Sequence, residues 1–246
     1  MAYVDQALER MKHEFERESS YFFTENDLVC FFYRLLLSEM PDPVAKDADG
    51  RKHLIVHMEY PTPFRCDMRE GDFELKKDDE VTDGKKPFKR GHYDIAVLNP
   101  NIISKLTYDE IKGQDYVLFK EKVLEDESIA KPVILYGIEF AYRRDPISWR
   151  GVEKLSKEVF QDHQKLLESR IPTRKGFNHN GFIENLRTMV FVRSPENDEA
   201  VDKLESMFNR EGITLCVGEP PLEANSNRRL VHRRVEQNLV DKMWIG

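Results

Sequence analysis

Pro132-Val133-Ile134-Leu135-Tyr136-Gly137-Ile138-Glu139-Phe140-Ala141-Tyr142 is the stretch that decides the fold of this chain. It is apolar, β-branched and aromatic, which predicts a short buried strand. A second run, His92-Tyr93-Asp94-Ile95-Ala96-Val97-Leu98, reads the same way and ends at Asn99-Pro100. Each strand carries one acid. Desolvating an unpaired carboxylate is expensive, so two such acids on adjacent strands call for a shared compensation. A divalent cation would supply it, since Mg²⁺ needs hard oxygen ligands and takes one or two carboxylates from a protein. Asp94 and Glu139 thus point to metal-assisted phosphodiester chemistry. Each also has a plainer reading: Asp94 as a cap or turn at the start of its strand, Glu139 as the ion-pair partner of Arg143 or Arg144.

Outward from these strands, the chain alternates helices and strands. Val4, Leu8, Met11 and Phe15 recur at helical spacing, which predicts a helix over residues 1–19. Thr24 followed by Asp27 resembles a capping box, opening a helix from about Glu25 to Met40 that Pro41 and Pro43 end. Asp42 to Arg51 reads as a polar loop. His53 to Tyr60 reads as a strand stopped by Pro61 and Pro63, and the charged residues 69–90 as an exposed loop. An insertion spans about 101–131. Beyond the Glu139 strand, Ser148 to Ser169 reads as a long helix with Val152, Leu155, Val159, Phe160, Leu166 and Leu167 on its apolar face. A loop over 170–181, a strand at Arg187–Val192, a helix at Ala200–Arg210 and a strand at Ile213–Val217 follow. A basic tail covers about 220–246. Strands followed by helix-strand repeats predict one mixed α/β sheet with helices on both faces. No internal repeat and no linker divides the chain, so the expectation is a single domain over 1–246.

The 246 residues are 40% hydrophobic, enough for a real core. No segment approaches the roughly 18 consecutive apolar residues of a membrane helix. Met1 to Ser20 is charged and lacks the apolar centre of a signal peptide, so the expected location is cytoplasmic. Cys30, Cys66 and Cys216 are odd in number and far apart, and read as buried free thiols rather than a zinc site or a disulfide framework. The formal net charge of −7 counts against nucleic-acid binding, although local distribution matters more than the sum. The basic residues do cluster: Lys85, Lys86, Lys89 and Arg90 before the Asp94 strand; Arg143, Arg144 and Arg150 after the Glu139 strand; Arg228, Arg229, Arg233 and Arg234 in the tail. The sequence holds no P-loop, no dinucleotide fingerprint, no nucleophile elbow and no HExxH zinc motif.

Three features together resemble the PD-(D/E)XK nuclease superfamily. They are Glu25 on the first long helix, Asp94 in Arg90-Gly91-His92-Tyr93-Asp94-Ile95-Ala96-Val97, and Glu139 in Ile138-Glu139-Phe140 ahead of a long helix. The resemblance covers about residues 21–192. It implies a restriction-endonuclease-like fold with an αβββαβ core, Mg²⁺ or Mn²⁺ held by Asp94 and Glu139, and a supporting role for Glu25. It further implies DNA as the partner, and many enzymes of this type act as homodimers. The family places a Lys two residues after the Glu, where this chain has Ala141. The ammonium could come instead from Lys165 or Lys154 on the following helix, or an arginine, Arg143, could stand in from the same strand face. A second metal ion could replace the Lys. Glu59 is a further candidate ligand, and His92, two before Asp94, a weak candidate for water or phosphate contact. His57 and His163 read as structural. Two functions remain open: a metal-dependent endonuclease, and a protein of the same fold that binds nucleic acid or protein without turnover.

Overall fold

The computed structural model describes residues 2–67, 74–76, 89–111, 132–145, 147–168, 173–174, 177–178, 183–193 and 198–218. Helix α1 (Ala2–Glu18) buries Val4, Ala7, Leu8, Met11 and Phe15 along one stripe. Helix α2 (Glu25–Glu39) opens on a capping box. The Thr24 side chain accepts the Asp27 N–H at 3.2 Å, and the Asp27 carboxylate accepts the Thr24 N–H at 2.8 Å. Two donors that a helix start leaves unpaired are thereby satisfied.

The strands that follow are β1 (Val44–Lys46), β2 (Lys52–Leu54), β3 (Val56–Asp67), β4 (Glu74–Lys76) and β5 (Lys89–Leu98). Two single-turn helices come next, α3 (Pro100–Ile103) and α4 (Tyr108–Ile111). Strand β6 (Ile134–Arg143) leads into helix α5 (Trp149–Glu168). The short β7 (Thr173–Arg174) and β8 (Phe177–Asn178) pair with each other. Strand β9 (Ile183–Val192), helix α6 (Asp198–Glu211) and strand β10 (Thr214–Val217) complete the described chain.

Six strands form one mixed sheet in the order β10-β9-β6-β5-β3-β4. Strands β3, β5 and β6 are antiparallel neighbours. Helix α5 then crosses over to β9, parallel to β6, and α6 to β10, parallel to β9. The side chains of β6 and β9 alternate between two helical layers, as strand geometry requires. Toward α1 and α2, Phe140 meets Phe32 and Phe191, and Phe15 meets both Tyr142 and Phe191. Ala141, Val190 and Val192 pack instead with Val152, Leu155 and Val159 of α5 and Leu204 and Phe208 of α6. Phe32 is fully buried, so Phe32→Ala would cost about 3–5 kcal/mol.

Several local expectations need correction. The segment Asp42 to Arg51 is not all loop, because Val44–Lys46 pairs antiparallel with Lys52–Leu54. The prolines do not stop β3. Pro61 stands opposite His92, and the register shifts between Pro61 and Arg65, an irregularity at which missing N–H groups are tolerated. Cys216 is a buried thiol, but Cys30 is exposed, because it falls outside the stripe of Leu28, Val29 and Phe32 that α2 buries. Strand β9 also begins four residues earlier than the sequence pattern suggests, at Ile183. The basic tail and residues 112–131 of the insertion lie outside the described residues. No helix among the described residues is long and apolar enough to cross a membrane.

Candidate active site

Asp94 and Glu139 come together where the sheet forks. The pairing of β5 with β6 runs through Val97–Tyr136 and Ala96–Gly137 to Ile95–Ile138, and ends there. Just past that point a side chain takes over from the backbone: Asp94 Oδ2 accepts the Phe140 N–H at 2.6 Å. This charge-assisted bond holds the Asp94 carboxylate at the opening of the fork. On the other side of β5, the pairs Met58–Ile95 and Tyr60–Tyr93 bracket Glu59 against Asp94. Across β6, Glu139 is in register with Thr188 of β9, whose hydroxyl lies 2.9 Å from His163 Nδ1 on α5. A polar row, Glu59, Asp94, Glu139 and Thr188, therefore crosses four neighbouring strands of the sheet.

Glu59 is the one non-glycine residue with positive φ among those described, at 52°. That region is sparsely used by residues with a Cβ. Such strain costs on the order of 1–3 kcal/mol and persists where the surroundings over-determine it, often at functional sites.

Glu59, Asp94 and Glu139 line a cleft of about 340 Å³. Its acids are Glu25 at the first turn of α2, Glu59, Asp94, Glu139, and Glu158 and Asp162 of α5; His92 is also on its wall. Glu139 is only 4% exposed. Glu158 and Asp162 are four apart and so share one helix face. Among the described residues that line the cleft, none is a Lys or Arg. The donor set is hard oxygen, which suits Mg²⁺ or Mn²⁺ rather than a soft metal. Among the described residues, no three His, Cys, Asp or Glu side chains are gathered closely enough to form a metal cage. Two carboxylates are nonetheless what a hydrated Mg²⁺ takes from a protein, the remaining positions being water. The donors present thus fit that ion, and do not fit a site made wholly of protein ligands.

The sequence-derived residues divide clearly. Glu25, Glu59, His92, Asp94 and Glu139 share the cleft, and Ala141 lies on its wall. Arg143, two residues further along β6, is not on that wall; its Nε is buried with no hydrogen-bond partner among the described residues. Lys154 is largely exposed and reaches Glu158 at 3.8 Å. Lys165 is on α5, but its side chain lies outside the described residues, as do those of Lys85, Lys86, Lys89 and Arg90. Sequence reasoning missed Glu158. The available signal was its place beside the apolar stripe of Leu155 and Val159, where an acid borders the buried face of the helix.

Tyr142 also lines the cleft, and its hydroxyl donates to the Phe22 carbonyl at 2.6 Å. Burial raises the pKa of this phenol, while the neighbouring Arg193 and Arg144 cations oppose the rise and Asp27 adds to it. The fold and the cleft define a mixed α/β protein with an acidic opening at a forked sheet. No family model, curated protein or solved structure matches the chain.

Proposed function

We propose that the chain is a Mg²⁺- or Mn²⁺-dependent nuclease that cuts a phosphodiester bond of DNA, on a restriction-endonuclease-like αβββαβ core. The observation that carries this reading is the Asp94–Glu139 pair at the end of the β5–β6 pairing, in a cleft open to a ligand. The order α2, then antiparallel β3, β5 and β6, then α5 and parallel β9 supports it. So does the left-handed backbone of Glu59 beside Asp94.

Asp94 and Glu139 would hold the metal, which supplies a water of lowered pKa and offsets phosphate charge. The Phe140 N–H keeps the Asp94 carboxylate aimed into the cleft. Glu25 and Glu59 line the same cleft, where their carboxylates would accept hydrogen bonds from water on a bound metal. His92 also lines the cleft, where its ring could contact a phosphate. Without a cation, so acidic a cleft repels a phosphodiester; binding of metal and of substrate is therefore coupled.

A second reading, a nucleic-acid or protein binding module without turnover, is favoured by one observation. Ala141 occupies the position two after Glu139, and no Lys or Arg among the described residues lines the cleft. The deciding experiment is a calorimetric Mn²⁺ titration of wild type, Asp94→Ala and Glu139→Ala, followed by cleavage assays on plasmid and single-stranded DNA. Metal binding and cleavage that both substitutions abolish are expected. No Mn²⁺ binding at millimolar concentration in the wild type would overturn the nuclease reading. Metal-independent binding of DNA without product would favour the module.

A further inference from the structure

At the rim of the acidic cleft the chain presents two large aromatic side chains to solvent. Tyr21 is 58% and Phe23 is 63% exposed. They are held in that state by the residue between them. Phe22 is extended, with φ −106° and ψ 124°, so its two neighbours project away from it. Its own ring is buried against Phe15 and Phe31. Its carbonyl accepts the Tyr142 hydroxyl at 2.6 Å, and the next N–H, that of Phe23, is held by Asp27 at 2.9 Å. Pinned at these three points, Tyr21 and Phe23 stand out as a pre-formed surface. Tyr142 and Glu25, which flank this segment, both line the cleft.

Cations adjoin the aromatics. Arg144 follows β6 and Arg193 follows β9, at the same ends of two parallel strands, where the Arg193 N–H bonds the Arg143 carbonyl at 2.9 Å. The positive charges of Arg193 and Arg144 both act on the Tyr142 phenol, whose hydroxyl is bonded to the Phe22 carbonyl. The exposed pairing of Arg144 with Asp145 at 3.4 Å is weak enough to exchange for a phosphate. Asp27 also acts on the Tyr142 phenol, but its carboxylate is committed to the backbone N–H groups of Phe23 and Thr24. Aromatic faces for bases beside guanidinium groups for phosphates are the elements of single-strand recognition. A duplex offers such faces only where its bases are already unstacked.

We propose that Tyr21 and Phe23 are a stacking platform for unpaired bases, with Arg144 and Arg193 taking the adjoining phosphates. The strand delivered to the cleft is then single-stranded or frayed nucleic acid rather than intact duplex. The substrate class rests on the nuclease reading above; the binding surface does not.

The test is fluorescence anisotropy in EDTA, where no metal-dependent cleavage occurs, with labelled oligothymidylate and a blunt duplex of equal length. The wild type is expected to bind the single strand at least about tenfold tighter than the duplex. The Tyr21→Ala/Phe23→Ala variant is expected to lose about 5- to 150-fold per stacked base. Arg193→Ala is expected to weaken binding and to flatten its salt dependence. Both aromatics are exposed, so their removal spares the core. Binding unchanged in the double variant would overturn the platform, as would equal affinity for duplex or no single-strand binding by the wild type. Light scattering that shows a dimer lost in the double variant would overturn it too, assigning the patch to a second copy of the chain. The two readings fail separately: single-strand binding that depends on Tyr21 and Phe23, in a wild type that binds no Mn²⁺ and cuts nothing, leaves the platform standing and removes the nuclease.

Discussion

The Phe140 N–H donates to Asp94 Oδ2 at 2.6 Å, one step beyond the last β5–β6 pair, Ile95 with Ile138. One carboxylate thus completes the hydrogen bonding of β6 and faces the cleft. Asp94→Ala removes a charge-assisted bond to a nearly buried backbone donor, at a cost of about 1.5–3 kcal/mol. For a chain of this length that is a fall in Tm of roughly 3–12 °C. Asp94→Asn keeps a carbonyl acceptor and should retain most of the wild-type Tm, while losing metal binding as fully as the alanine variant. Thermal unfolding followed by circular dichroism, with and without Mn²⁺, separates the two roles. Equal Tm values for the two variants would show that the bond contributes nothing.

Glu139 behaves in the opposite sense. At 4% exposure its carboxylate carries a desolvation cost that an amide avoids. Glu139→Gln is therefore expected to match or exceed the wild-type Tm in EDTA. With a dissociation constant of about 1 mM, 10 mM Mn²⁺ adds about 1.4 kcal/mol to the wild type, or roughly 3–6 °C. The glutamine variant should gain nothing. A Mn²⁺-dependent shift that survives Glu139→Gln would move the metal away from this residue.

Much of this architecture is legible in the sequence, for physical reasons that differ by element. Thr24 and Asp27 announce the start of α2 because a capping box is local chemistry. The strands with Asp94 and Glu139 are legible because sheet burial on both faces leaves an unbroken apolar run. Other elements are not. Strands β1 and β2 have three residues each, too few for an alternation to show. Pro61 reads as a stop, yet the irregular register beside it lets β3 continue. Glu158 looks like any solvated helix acid until α5 packs over β6, and Phe23 looks like core until Phe22 takes the inward place. The strand acids are found by their incongruity and Glu25 by its place in the resemblance, whereas Glu158 follows only from packing.

Ala141 permits a direct test of the missing cation. It lies on the cleft wall with Glu139, and Glu158 and Asp162 face the same space from α5. A lysine introduced there would find carboxylates for its ammonium, so Ala141→Lys should change Tm by no more than a few degrees. If cleavage is limited by the lack of a group that assists the attacking water, Ala141→Lys should raise the single-turnover rate by about 10²-fold or more. The comparison is made at saturating Mn²⁺. A folded variant with no faster cleavage would mean that another group, or a second metal ion, already performs that step.

His163 provides the pH dependence. Its ring is buried between α5 and β9, with Nδ1 at 2.9 Å from the Thr188 hydroxyl. Burial pushes its pKa below the ordinary 6.5, and interaction with Glu211 only partly offsets this. The unfolded chain therefore binds a proton at a higher pH than the folded one does. Stability is fully present above about pH 6.5 and is lost as pH falls below it, because protons favour the unfolded state. His57, whose pKa burial also lowers, adds to the same slope. Replacing His163 with Gln removes up to one proton from the linkage, a slope of about 1.4 kcal/mol per pH unit at most. Urea unfolding at pH 5.5, 6.5 and 7.5 measures it. The wild type should weaken most between 6.5 and 5.5, the variant less, with the remainder attributable to His57. Identical slopes in the two proteins would mean that His163 is protonated as readily in the fold as outside it, contrary to its burial.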